Sequence, residues 1–129
     1  MFGDASLHNS PIVSVVDDDE AIRLALGSLV RSMGMHVRLY ESAGAFLDSG
    51  QAIETACLIS DIRMPGMSGI EMRTRLLEQH IDPPTIFVSA YPTLALQAEA
   101  MRSGALVLVE KPWLATTLVY WIRVALDRK

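Results

Sequence analysis

Four carboxylates, one hydroxyl and one ammonium stand just beyond short apolar runs in this chain. Asp17-Asp18-Asp19 follows Ile12–Val16, Asp61 follows residues 57–60, Ser89 follows residues 86–88, and Lys111 comes after residues 106–109. A short aliphatic or β-branched run reads as a buried strand, and open α/β sheets place their ligand sites beyond the carboxyl ends of such strands. With these runs as parallel neighbours, Asp17, Asp18, Asp61, Ser89 and Lys111 converge on one edge of the sheet. Such a group would hold a divalent metal and a phosphoryl group, since carboxylate oxygens suit a hard cation and N–H and O–H donors suit phosphoryl oxygens.

The elements that would position them alternate along the chain. After the first strand, residues 20–33 carry Ile22, Leu26, Leu29, Val30 and Met33 at helical spacing, with Asp19 placed to cap the start and Gly34 to end it. Residues 35–40 alternate apolar and polar, which predicts a strand with one face less buried. Ser42 opens a short helix ending near Gly50. Residues 56–60 form a third strand, and Pro65-Gly66 is a turn signal. Ser68 with Glu71 three residues on makes a capping box for a helix reaching about His80. Pro83-Pro84 ends that region, and residues 85–88 supply strand four. A helix starts at Pro92-Thr93 and stops at Gly104. Residues 106–109 are strand five, and residues 114–126 the last helix. Strands alternating with crossover helices predict a parallel sheet. The expected fold class is therefore α/β: a (βα)5 doubly wound, five-stranded sheet of order 2-1-3-4-5, flavodoxin-like, with helices on both faces. In that order strands one and three, which end in Asp17-Asp18 and Asp61, flank the point where strand order reverses.

Composition narrows the class of protein. With 129 residues, half of them hydrophobic, the chain has the size of one domain and enough apolar surface for a core. A net charge of −4 with no basic stripe argues against nucleic-acid binding by these residues. The single Cys57 lies in an expected core strand, forms no intrachain disulfide and fits a reducing compartment. Residues 1–10 lack the basic and apolar segments of a signal peptide, and no stretch approaches the roughly 20 apolar residues that span a bilayer. A cytoplasmic protein without membrane contact is the expectation. His8, His36 and His80 have no partner ligands at metal spacing and read as structural or solvent-facing.

The chain resembles the receiver domains of two-component response regulators. The resemblance is carried by Val16-Asp17-Asp18, the run from Asp61 through Arg63-Met64-Pro65-Gly66-Met67-Ser68 to Gly69, Ser89-Ala90, Gly104-Ala105 and Glu110-Lys111-Pro112. Spacings agree as well, with 43 positions from Asp18 to Asp61, 28 more to Ser89 and 22 more to Lys111. The Asp61 and Lys111 motifs are similar to those of the FixJ-like branch, whose receivers usually precede a helix-turn-helix output domain. On this basis residues 1–10 are expected to be a disordered tail and 11–129 the receiver domain.

The resemblance implies a role for each matching residue. Asp61 is the phosphoacceptor. Mg²⁺ is bound directly by Asp18 and Asp61, through water by Asp17, and by the backbone carbonyl of Arg63. Lys111 pairs with the phosphoryl oxygens, Ser89 donates a hydrogen bond to one of them, and a cis peptide precedes Pro112. The implied partner is a histidine kinase or phosphotransfer protein. The implied chemistry is transfer to the domain itself and hydrolysis of its own acyl phosphate, not turnover of a separate substrate.

Two positions depart from the family pattern. Leu108 stands where receivers usually carry the Tyr or Phe that moves when Ser or Thr engages phosphate. Val107 stands where FixJ-like receivers often have Asp, so residues 106–109 form an apolar edge strand without the charge that usually protects an edge. The last helix is apolar over more than one face. These features lead to the expectation of a homodimer through helix four, strand five and helix five. They also support an alternative: a degenerate receiver that dimerises or docks independently of phosphorylation. A Mg²⁺-dependent phosphohydrolase is a weaker rival, because its general-acid carboxylate would be needed two positions after the nucleophile, where Arg63 stands.

Overall fold

The computed structural model describes residues 10–127; the expected tail, apart from Ser10, and His8 lie outside them. Five strands, β1 (Ile12–Val16), β2 (His36–Tyr40), β3 (Cys57–Asp61), β4 (Thr85–Ser89) and β5 (Val107–Glu110), alternate with α1 (Glu20–Ser32), α2 (Ala43–Asp48), α3 (Gly69–Glu78), α4 (Leu94–Arg102) and α5 (Ala115–Leu126). All strand pairs are parallel and the order is β2-β1-β3-β4-β5. No helix among the described residues is long and apolar enough to cross a membrane.

Local chemistry sets the helix starts. The side chains of Asp19, Ser42, Ser68 and Thr93 each accept a hydrogen bond from a backbone N–H in the following helix, and Ser68 and Glu71 complete the reciprocal capping box. Gly34 and Gly104, which end α1 and α4, have φ of 80° and 90°, backbone that side chains rarely adopt. Element ends differ from the sequence reading by about one residue. β3 and β4 extend to Asp61 and Ser89 because backbone pairing continues past the last apolar side chain. A short 3₁₀ turn at Ala52–Glu54 was not expected, being too short to carry a periodic signal.

The period of two along the strands divides the core into layers. Val13, Val15, Cys57, Ile59, Ile86 and Val88 face α1 and α5, where Leu26, Val30, Leu118 and Ile122 cover them. On the opposite face Val16 and Leu58 meet Phe46 of α2 and Met72 and Leu76 of α3, and Phe87 packs with Ala100 of α4. Strand five is less open than its sequence implies. Val109 is buried, while Leu106, Val107 and Leu108 are half-buried against the two layers. The exposed apolar side chains of this region belong to the helices and their entrances: Leu94, Met101, Leu114 and Tyr120.

A buried arginine closes the opposite edge of the sheet. Arg73 of α3 is 3 % exposed and donates to the carbonyls of Pro83, Ser103 and Gly104, to Thr85 Oγ1 and, at 2.8 Å, to Asp82 Oδ1. It joins α3, the entrance of β4 and the end of α4. Arg73→Leu strands these buried acceptors and is expected to lower unfolding free energy by about 3 kcal/mol in urea titration. Asp82, two-thirds exposed, returns to water when released, so Asp82→Ala should cost less than about 1 kcal/mol.

Candidate functional site

Parallel register brings the chemistry-bearing residues together. Val16 pairs with Ser60, Asp61 with Val88 and Ser89 with Glu110, so the residues leaving β1, β3, β4 and β5 line one edge. Gly69 lets α3 start directly against this edge. A β-carbon there would overlap the Asp61 carbonyl oxygen and crowd Ser60 Oγ and the Phe87 ring.

Lys111 is the centre of the arrangement. Its Nζ lies 3.2 Å from Asp17 Oδ2 and 3.4 Å from Asp61 Oδ2. The Lys111–Pro112 peptide is cis, and the Lys111 N–H donates to the Ser89 carbonyl at 2.8 Å. Asp17 has no solvent exposure and is engaged throughout. Its N–H donates to the Tyr40 carbonyl, its Oδ1 accepts from the Asp19 N–H at 2.9 Å, and its carbonyl accepts from Arg23 Nη1 at 2.8 Å. Asp18 is exposed, and its carboxylate has no partner among the described residues. The carboxylate oxygens of Asp17, Asp18 and Asp61 lie within 4.8 Å of one another, the one such group among the described residues that could hold a metal ion. Three hard oxygen donors in this spacing suit a divalent cation of the Mg²⁺ or Ca²⁺ kind.

Burial pushes the Asp61 carboxyl above the usual carboxylate range. The Lys111 charge opposes this, the Asp17 carboxylate adds to it, and hydrogen bonds from Lys111 and the Arg63 backbone N–H again oppose it. Ser89, buried at the end of β4, accepts a long hydrogen bond from the Tyr91 N–H at 3.3 Å. Arg63 and Tyr91, two positions after Asp61 and Ser89, are exposed. His36 and His80 are exposed and take no part in the acidic cluster. Burial raises the Cys57 thiol to about 12, which leaves it an inert core group.

The structure thus brings Asp17, Asp18, Asp61 and Lys111 together, with Ser89 at the neighbouring strand end. The sequence reading missed Arg23. A signal was available: a cation in the first turns of a helix runs against the helix dipole, so its place there calls for a specific partner.

The comparisons agree with this geometry. The chain matches the response regulator receiver domain family over residues 13–123. It is 39 % identical over 115 residues to the response regulator protein TmoT of Ectopseudomonas mendocina, covering 89 % of this chain and 52 % of that protein. To the transcriptional regulatory protein FixJ of Azorhizobium caulinodans it is 36 % identical over 116 residues, 90 % of this chain and 55 % of the relative. Among solved structures, FixJ-N superposes with a TM-score of 0.85 at 31 % identity, covering 94 % of this chain and 97 % of that one. The response regulator StyR gives 0.84 at 36 % identity, covering 92 % and 60 %. The chain belongs to the receiver domain family of two-component response regulators. It spans about half the length of the curated relatives it matches.

The raised Asp61 carboxyl carries a stability consequence. A folded-state pKa above the unfolded value means that ionising Asp61 costs stability at neutral pH. The cost fades as pH falls through the folded pKa and is gone below the unfolded value near about 3.9. In metal-free buffer, Asp61→Asn should therefore melt at a higher temperature than the parent at pH 7. The difference should shrink as the pH approaches 4, as read by circular dichroism melts across that range.

Proposed function

We propose that this receiver accepts a phosphoryl group on Asp61 from the phosphohistidine of a histidine kinase or phosphotransfer protein, in the cytoplasm. The observation that carries the reading is the shared Lys111 ammonium, within 3.4 Å of both the Asp17 and Asp61 carboxylates. In the transfer an Asp61 carboxylate oxygen forms the new P–O bond while the P–N bond of the donor breaks and the imidazole leaves with its electron pair, to be protonated. A carboxylate is a weak nucleophile, so the step depends on in-line placement and on neutralising the phosphoryl oxygens. Lys111 and Ser89 supply donors to those oxygens. Bound Mg²⁺, held by Asp18 and Asp61, through water by Asp17 and by the Arg63 carbonyl, would add the remaining positive charge. Asp18 is suited to direct contact because no protein group occupies it, whereas Asp17 is already engaged by Lys111 and the Asp19 N–H. Loss of the phosphoryl group is self-catalysed hydrolysis, so the domain turns over no separate substrate.

The acyl phosphate is then the signal. It adds about −1.5 to −2 charges beside Ser89, and output runs through the surface of α4, β5 and α5 to a second receiver and onward to a helix-turn-helix output domain. The relative named a transcriptional regulatory protein supports a transcriptional output. The exposure of Leu94 and Leu114, at 85 % and 71 %, with Met101 and Tyr120 half exposed or more, supports the surface route.

Acetyl phosphate with Mg²⁺ should add one phosphate by intact mass, and Asp61→Asn should abolish it. Label persisting in that variant, or formed without metal, would mean that another residue or reaction is responsible. Asp18→Ala should weaken Mg²⁺ binding more than Asp17→Ala. For output, a beryllofluoride–Mg²⁺ adduct should shift the protein toward dimers in sedimentation, and Tyr120→Asp should prevent the shift. Tyr120 is the better probe than Val107, whose half-buried side chain also packs in the core. A parent that stays monomeric in both states would remove the association route and leave phosphorylation intact.

A further inference from the structure

Arg23 lies four residues into α1, close to three aspartates, yet it makes no ion pair among the described residues. Its side chain is half-buried and its one hydrogen bond goes to a main-chain atom, Nη1 to the Asp17 carbonyl oxygen at 2.8 Å. That carbonyl belongs to the peptide unit joining Asp17 to Asp18, and a peptide unit is planar. Holding its oxygen fixes the plane and with it the Cα of Asp18. The Asp17 end is already fixed by Tyr40, Asp19 and Lys111, while the Asp18 carboxylate is exposed and has no partner among the described residues. Arg23 thus holds the peptide unit before Asp18, while the Asp17 carboxylate, through the Asp19 N–H, holds the unit after it.

We propose that Arg23 is a positioning residue for metal binding: it aims Asp18 by clamping the Asp17–Asp18 peptide. The inference rests on reading the acidic cluster as a Mg²⁺ site. Sign separates it from simple electrostatics. A guanidinium beside a dication site repels the ion, so removal of a mere neighbouring charge would tighten Mg²⁺ binding. Removal of a clamp loosens it, as loss of groups that orient metal ligands does elsewhere.

The test is calorimetric titration of the protein with Mg²⁺ alone. Arg23→Ala should weaken binding roughly tenfold. Arg23→Lys, which keeps a donor, should recover part of the loss. Should Arg23→Ala fail to fold, Arg23→Gln is judged by the same titration. Equal or tighter binding in a folded variant overturns the clamp while leaving the receiver reading intact. A parent that binds no Mg²⁺ overturns both.

Discussion

A carboxylate with no access to water has to be matched at its charge and at its hydrogen-bonding atoms, and Asp17 imposes that requirement on everything around it. Lys111, just beyond β5, answers the charge, and Asp19, Tyr40 and Arg23 answer the remaining polar groups from the next turn, β2 and α1. Three segments far apart in sequence, the β1–α1 turn, β2 and the end of β5, are thereby held to one another at the carboxyl edge of the sheet. The same ammonium then serves Asp61, so the group that stabilises a buried structural acid also faces the proposed nucleophile. Structure and chemistry share one cation, which is why the fold and the site are hard to separate here.

Charge at this edge is left deliberately uneven by that sharing. Three carboxylates cluster here and, among the described residues, Lys111 alone forms ion pairs with them, while the one Arg23 guanidinium beside them offsets less than the remaining charge. The raised Asp61 carboxyl is one expression of it, since burial and Asp17 together outweigh Lys111. A divalent cation held by these carboxylates would offset the excess and favour the ionised form of Asp61. The phosphoryl group proposed for Asp61 would then bring new negative charge against Lys111 and Ser89. Metal and phosphoryl group each alter a balance that the bare site leaves open, which is the physical condition for a switch rather than a static ion-pair network.

Much of this was legible in the sequence because the signals are local. Apolar runs marked the strands, Asp19, Ser42, Ser68 and Thr93 marked the helix starts, and parallel order followed from alternation. Asp17, Asp18, Asp61, Ser89 and Lys111 could be placed at one edge because each sits just beyond a run. What escaped was long-range or lacked a period. The hydrogen bonds of Arg73 reach residues 9 to 31 positions away, so no window around it reports that it is buried. The clamp from Arg23 goes to a main-chain oxygen, which has no side-chain signature at all. The apolar run 106–109 read as an open edge, but sequence does not reveal how far α4 and α5 close over it.

Leu108 changes how a signal can leave the site. It packs half-buried with Ile62, Phe87, Ala100 and Ala105, where it offers neither a polar tip nor a flat ring. Ser89, however, is joined to two other segments by hydrogen bonds: its hydroxyl to the Tyr91 N–H and its carbonyl to the Lys111 N–H. Turning that hydroxyl toward a phosphoryl oxygen competes with the longer of the two, the 3.3 Å bond to the segment that enters α4. α4 is unequally held. Its C-terminal end is fixed by buried Ala100 and by Arg73 on the Ser103 and Gly104 carbonyls, while Thr93, Leu94 and Ala95 at its entrance are exposed. A change at Ser89 therefore acts on the loosely held end of a helix anchored at the other. The surface it would displace is the one carrying Leu94, so the link from phosphate to partner can run through backbone and helix without a rotating aromatic.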